Sequence, residues 1–272
     1  MMIYGGAKAI PYQFPPPRFT RLIEPYGESS PMGLLWTLMG SSQSYTMITG
    51  FVELLAGVLL IVPRTAMLGA IVALGAMTQV FILNMCYDVS VKLRSFHLLV
   101  MSLFLLLHNL RRIANLFLFN RPVPAAAGTQ LFKRRGLNRA AILFQILFGL
   151  AVLGAGLHQG YQGYTTSGAG APKPPFYGIW SVDEMAVNGE LRPPLLTDQS
   201  RWRWVIFQRT GSLIVQPMNG RAQVYKLDLD TEGKKMILAR ADNPESKAEF
   251  LFQEPESGLM SLEGQLEGKP AK

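Results

Sequence analysis

Runs of apolar residues long enough to cross a bilayer alternate with short polar breaks through the first 158 residues. Short alternating stretches with tight turns follow from residue 176 onward. The runs Tyr45–Val62, Ala66–Met85, Ser95–Leu110 and Ala140–His158 each approach the roughly 20 apolar residues a spanning helix needs. Gly69, Ala73 and Ala76 in the second run, and Gly149, Gly154 and Gly156 in the fourth, predict faces of close helix packing. Ser30-Pro31 is a helix-start signal for a short segment, Met32–Met39, whose Trp36 suits the membrane interface. Met1–Ile10 is apolar but short and meets Pro11, so it reads as the last turns of a helix that begins upstream.

Gln159–Pro175 is a Gly/Ser/Thr/Pro linker. Beyond it the period falls to two. Strands are expected at Val205–Phe207, Leu213–Val215, Gln223–Leu229, Lys235–Arg240, Ala248–Gln253 and Leu259–Gln265. Thr210-Gly211, Asn219-Gly220, Asp242–Pro244 and Pro255–Gly258 supply the turns, and Asn188-Gly189 predicts an earlier hairpin. The final strand reaches Gly268-Lys269-Pro270 with no visible return partner. The fold class read from this pattern is an α-helical membrane bundle of four full spans plus an N-terminal helix stub, followed by an all-β antiparallel barrel or sandwich. The expected organisation is a bundle over 1–122, a basic connector over 123–139, a final span over 140–158, a linker over 159–175 and a soluble β domain over 176–272.

Charge sharpens this division. Met1–Pro175 holds 14 Lys/Arg against 4 Asp/Glu, whereas Phe176–Lys272 holds 12 against 14. The positive residues flank hydrophobic runs, which is a topology signal and argues against a nucleic-acid surface. Arg64 and the 111–139 stretch carry eight basic and no acidic residues, so those loops are expected in the cytoplasm and the β domain on the other side of a bacterial inner membrane. A single cysteine excludes an internal disulfide and a thiolate zinc cage. The β domain has neither His nor Cys, so it offers no Ser-His triad or His-based metal site.

Candidate chemistry concentrates in the polar turn between the second and third spans. Asn84, Cys86, Asp88, Lys92, Arg94 and His97 lie together there. Polar groups at membrane depth are costly unless used. Cys86 reads as a reactive thiol if Lys92 or Arg94 lowers its pKa, or as a small apolar filler. His97 and His108 share one helix and cannot clamp one haem. Glu53 lies roughly 12 Å into the first span. It reads either as a proton-transfer or ligand-binding carboxyl or as a fastener between helices, with Gln79 the first expected partner and His97 the second. Trp202 and Trp204, alternating with Arg201 and Arg203, read as a stacking surface or as inward tryptophans between solvated arginines.

Two motifs carry family resemblances. Asn-Met-Cys-Tyr-Asp-Val-Ser-Val-Lys-Leu at 84–93 and Glu-Pro-Tyr-Gly-Glu-Ser-Ser-Pro-Met-Gly-Leu-Leu-Trp at 24–36 resemble bacterial DoxX-like membrane proteins, over about Tyr4–Pro122. The resemblance implies a four-helix membrane bundle and, from relatives that are small subunits of a thiosulfate:quinone oxidoreductase, a redox partner subunit and a quinone. Gly178-Ile179-Trp180 resembles the Gly-x-Trp opening of lipocalin-type barrels, which places Trp180 among the ligand-binding candidates. Three roles follow as expectations: an accessory or subunit of a quinone-linked redox system, a membrane-anchored barrel binding an envelope ligand or partner, or a small-solute transporter using Glu53.

Overall fold

The computed structural model describes residues 1–123, 132–240, 247–256, 258–266 and 268–272. It divides into a helical unit (Met1–Pro17 with Glu24–Ala171) and a β unit (Pro172–Lys272 with Arg18–Ile23).

The helical unit contains α1 (Met2–Ala9), α3 (Pro31–Ser41), α4 (Gln43–Ile61), α5 (Ala66–Cys86), α6 (Lys92–Leu107), α7 (Leu110–Phe117) and α8 (Arg135–Thr166); the short α2 (Phe19–Leu22) belongs to the β unit. Ser30 caps α3 by accepting from the Gly33 nitrogen at 3.1 Å, with Pro31 at the first helical position. Pro63 ends α4, and the Thr65 hydroxyl donates to the Leu59 carbonyl at 2.8 Å across the break. In the apolar windows of α4, α5 and α8 only 28%, 22% and 11% of residues are buried within the protein. Helices this apolar with outward-facing apolar side chains are membrane spans, because water would leave that surface uncompensated.

The third span departs from expectation. The run through Leu110 is interrupted at His108-Asn109, and α6 and α7 meet at 78°. Among the described residues, three single helices and this bent pair give three spans, or four if the pair crosses as one. The fourth span is longer than expected, running from Arg135 to Thr166 through glycines that looked like linker. Those glycines are contact points: a Cβ at Gly160 would lie 3.0 Å from the Gly6 carbonyl oxygen, and one at Gly163 would enter the Tyr12 ring. Gly149 and Gly156 also pack closely as expected, but Gly154 faces open space.

Half of the residues of α1 are buried, Gly5, Gly6, Lys8 and Ala9. This helix packs between α4 and α8. A Cβ at Gly50 would lie 2.3 Å from the Ala9 nitrogen, and one at Gly5 would lie 2.9 Å from the Leu54 nitrogen. Backbones this close are permitted only by missing side chains. The close approach fixes which α1 residues face the bundle interior, and Lys8 is one of them.

The β unit is one antiparallel sheet, ordered β1-β4-β5-β6-β7-β8-β9-β10-β2-β3. The strands are β1 (Gly178–Ser181), β2 (Ala186–Val187), β3 (Glu190–Leu191), β4 (Trp202–Arg209), β5 (Ser212–Pro217), β6 (Gln223–Asp230), β7 (Lys235–Arg240), β8 (Lys247–Glu256), β9 (Leu259–Leu266) and β10 (Lys269–Ala271). Asn188 and Gly189 both take positive φ, 55° and 79°, the requirement of a two-residue type I′ hairpin. The expected turn at Asp242–Pro244 and the stretch 124–131 of the connector lie outside the described residues.

The last strand does find a partner. β10 pairs with β9 and, through Ala271, with Val187 of β2, so the exposed edges are β1 and β3. This order forces curvature. β1 and β2 stand eight steps apart in the sheet, roughly 38 Å if it were flat. Only Val182–Met185 joins them, a reach of at most about 18 Å. The sheet therefore curls into a half-barrel whose inner face packs Trp202, Val205, Phe207, Leu213, Val215, Leu227, Met236, Leu238 and Phe250.

Arg201 latches the seam. It is 3% exposed, contrary to the expected solvated arginine. Its guanidinium donates to the carbonyls of Asp183 (3.0 Å), Val182 (3.3 Å), Arg192 (2.9 Å) and Trp202 (3.0 Å). Asp198 holds the latch loop by accepting from the Arg201 and Ser200 nitrogens and from the Ser200 hydroxyl. These Ser200 hydrogen bonds, first from its hydroxyl and then from its backbone, lower the Asp198 pKa from 3.8 to about 2. A lowered folded-state pKa stabilises the fold above pH 4, and the contribution disappears as pH falls through about 2. Asp198→Asn should therefore be less stable than the wild type near neutrality. The difference should close between about pH 4 and 2 in parallel urea titrations; a constant difference would contradict the assignment.

Candidate functional site in the membrane bundle

Lys8 and Glu53 form a buried ion pair between α1 and α4, with side chains 8% and 3% exposed. Lys8 donates to Glu53 Oε1. Oε2 is shielded from water and has no hydrogen-bond partner among the described residues. Glu53 is thus a fastener of helices with half of its accepting capacity left over. The partner is neither Gln79 nor His97, because an ammonium group compensates a buried carboxylate far better than an amide. Sequence reasoning missed Lys8, although it is the lone charge in an apolar segment, the same signal that singled out Glu53.

This pair borders a cavity of about 370 Å³ inside the helical unit. Its apolar wall includes Trp36, Met39, Ile48, Val52, Leu83 and Leu98. Its polar lining includes Lys8, Glu53, Gln79, Asn84, Arg94 and Ser95, together with Tyr4 and Gln13. Asn84 donates to the Ser95 hydroxyl at 3.0 Å, tying the end of α5 to the start of α6. Arg94 is exposed, donates to the Tyr4 hydroxyl and stacks over its ring. Val89, buried among Phe14, Leu35 and Met39, anchors the turn so that its two ends face the cavity.

The polar turn consequently divides. Asn84 and Arg94 reach the cavity, as does Gln79. Cys86 is a free, exposed thiol outside it. Asp88 and Lys92 pair with each other at the surface, and that hydrogen bond lowers the Asp88 pKa. His97 is exposed, and its Nδ1 lies 2.6 Å from the Leu93 carbonyl oxygen one turn back on its own helix. A turn whose residues alternate between lumen and surface cannot be sorted from sequence order alone.

The β unit has a second cavity, about 670 Å³, inside the curled sheet. Trp180 and Trp202 line it with Met185, Phe207, Phe250 and Leu262. Trp204 does not. A bulge between Trp202 and Trp204 breaks the alternation, leaving Trp202 in the core and Trp204 outside it beneath Arg203, 5.6 Å from the ring centroid. Trp202 and Trp204 therefore do not share the core-facing side of the sheet.

Fold and site together define a multi-span helical membrane protein with a half-barrel β domain and a charged, water-shielded pair beside a small-molecule-sized cavity. The chain is 36% identical over 115 residues to a protein of Bacillus subtilis (strain 168) described as "Uncharacterized protein YwoB"; the match covers 42% of this chain and 73% of that protein. The chain belongs to the same family as that protein. No protein-family model matches it. No solved structure matches it either.

Proposed function

We propose that this is an accessory or subunit of a quinone-linked membrane redox system whose bundle cavity holds the ligand's headgroup. The observation that carries the reading is the Glu53–Lys8 pair, with a carboxylate oxygen unpartnered among the described residues, lining a cavity otherwise supplied with donors. A quinone ring is flat and apolar and accepts hydrogen bonds through two carbonyls; its hydroquinone form donates through two hydroxyls. Arg94, Lys8, Asn84 and Gln79 can supply donors to the former, and the Glu53 carboxylate is the acceptor in the lining for the latter. Trp36 and the aliphatic wall suit the ring. The motif resemblance to DoxX-like proteins supports the same reading. A bound quinone would supply two-electron, two-proton chemistry, with the electrons coming from a partner subunit.

The test is tryptophan quenching of the full chain in detergent by a short-chain naphthoquinone. Saturable quenching that weakens at least tenfold in the fold-preserving double variant Lys8→Met/Glu53→Leu and survives Trp204→Phe is expected. Linear, variant-independent quenching would refute the reading. Orientation belongs to the same proposal: the eight basic residues support a cytoplasmic position for the Arg64 and 111–139 loops, with the β domain opposite. A reporter that works only in the cytoplasm should be silent when fused after Lys272, and a strong signal would reverse this topology.

The second cavity favours a second reading, in which the half-barrel binds an apolar envelope ligand between Trp180 and Trp202. A hydrophobic dye displaced from the full chain by Trp180→Ala, but not by Glu53→Leu, would select it.

A further inference from the structure

After the 78° turn at His108-Asn109, α7 has no fully buried residue, and its apolar side is exposed at Leu110 and Phe117 and half-buried at Ile113 and Ala114. At 100° per residue, Leu110, Ile113, Ala114 and Phe117 fall on one arc, and Arg111, Asn115 and Arg112 fall on the opposite one. None of the eight residues is buried; Leu110 is 55% and Phe117 67% exposed, and Leu118 and Phe119 continue the apolar surface. Arg112 Nε is shielded from water yet has no partner among the described residues. No acidic residue occurs between Asp88 and Asp183, so this stretch of sequence contains no carboxylate to neutralise either arginine.

We propose that α7 lies in the plane of the bilayer surface and binds anionic phospholipid, with Arg111 and Arg112 on headgroup phosphates and Leu110, Ile113 and Phe117 among the upper acyl chains. Geometry favours this over a span continued through α7. A continued span would carry the Arg111, Arg112 and Asn115 face to bilayer depth without a counter-charge, where each arginine is strongly disfavoured. The surface placement also resolves a shortage of length. The 16 residues of α6 rise roughly 24 Å, short of a 30 Å core. An amphipathic helix sunk about 5–10 Å below the headgroups closes that gap. Charge complementarity selects the lipid, since basic residues at the surface gain affinity from anionic headgroups and none from zwitterionic ones.

The experiment uses the full chain with Cys86→Ser, reconstituted in phosphatidylcholine vesicles with or without phosphatidylglycerol. Single cysteines at 113, 115 or 117 carry an environment-sensitive dye. With phosphatidylglycerol, brominated lipid should quench the dye at 113 and 117, while aqueous iodide should quench it at 115. Removing the anionic lipid, or introducing Arg111→Gln with Arg112→Gln, should reduce the difference between the two faces about tenfold. Equal iodide quenching at all three positions would show that α7 does not touch the membrane. Equal lipid quenching would show a span, and separation independent of phosphatidylglycerol would show purely apolar contact; each result overturns the proposal.

Discussion

Arg201→Met will open the seam of the half-barrel and lower the thermal midpoint of the β unit by more than about 10 °C. The substitution keeps an unbranched apolar side chain but removes every donor. The carbonyls of Val182, Asp183, Arg192 and Trp202 all lose the guanidinium. Leaving a buried acceptor unsatisfied costs about 1–3 kcal/mol, so two such losses already amount to roughly 3 kcal/mol. For a unit of this size each kcal/mol moves the midpoint by about 4–8 °C. Arg203→Met is the control, because Arg203 is exposed and stacks only on Trp204. Near-ultraviolet circular dichroism follows the packing of the aromatic side chains, Trp202 among them. Equal midpoints for the two variants would show that Arg201 latches nothing.

Lys8→Met should destabilise the bundle by about 3–5 kcal/mol, because it strands the Glu53 carboxylate where water cannot reach. Glu53→Leu alone should also destabilise it, leaving the Lys8 ammonium uncompensated among apolar neighbours. The double variant Lys8→Met/Glu53→Leu should recover most of either loss. Apolar replacements of a buried pair are often neutral, whereas breaking one is not. The coupling measured by the double-mutant cycle, read from thermal scans in detergent, should reach about 3 kcal/mol. Additive losses would mean that each side chain finds compensation elsewhere.

Much of this architecture was legible along the chain. The strand at Lys235–Arg240 is observed with the expected bounds, and the first two spans start and end within two residues of their hydropathic limits. Period and turn chemistry are local, so they can be read locally. What escaped depends on distant partners. Lys8 and Glu53 are 45 residues apart, and only the glycine contacts of α1 bring them together. The burial of Arg201 contradicts its place in an alternating pattern, because the bulge and the edge connection give it four carbonyls to satisfy. At the third span, Asn109 and the pair Arg111-Arg112 mark where the apolar run closes, but not that a second helix, α7, turns off at 78° there. The polar turn stood out as candidate chemistry, but which of its residues face inward depends on the anchoring of Val89.

The ligand-holding role of the bundle cavity is tested most directly by photolabelling the full chain in membranes with an azido-quinone and mapping the modified peptides. Labels are expected on the lining residues Trp36, Val52, Leu83 and Leu98, suppressed by excess unmodified quinone and by the double variant Lys8→Met/Glu53→Leu. Labels confined to the lipid-facing Phe104, Phe144 and Phe148, with no effect of competitor or of the double variant, would contradict that role.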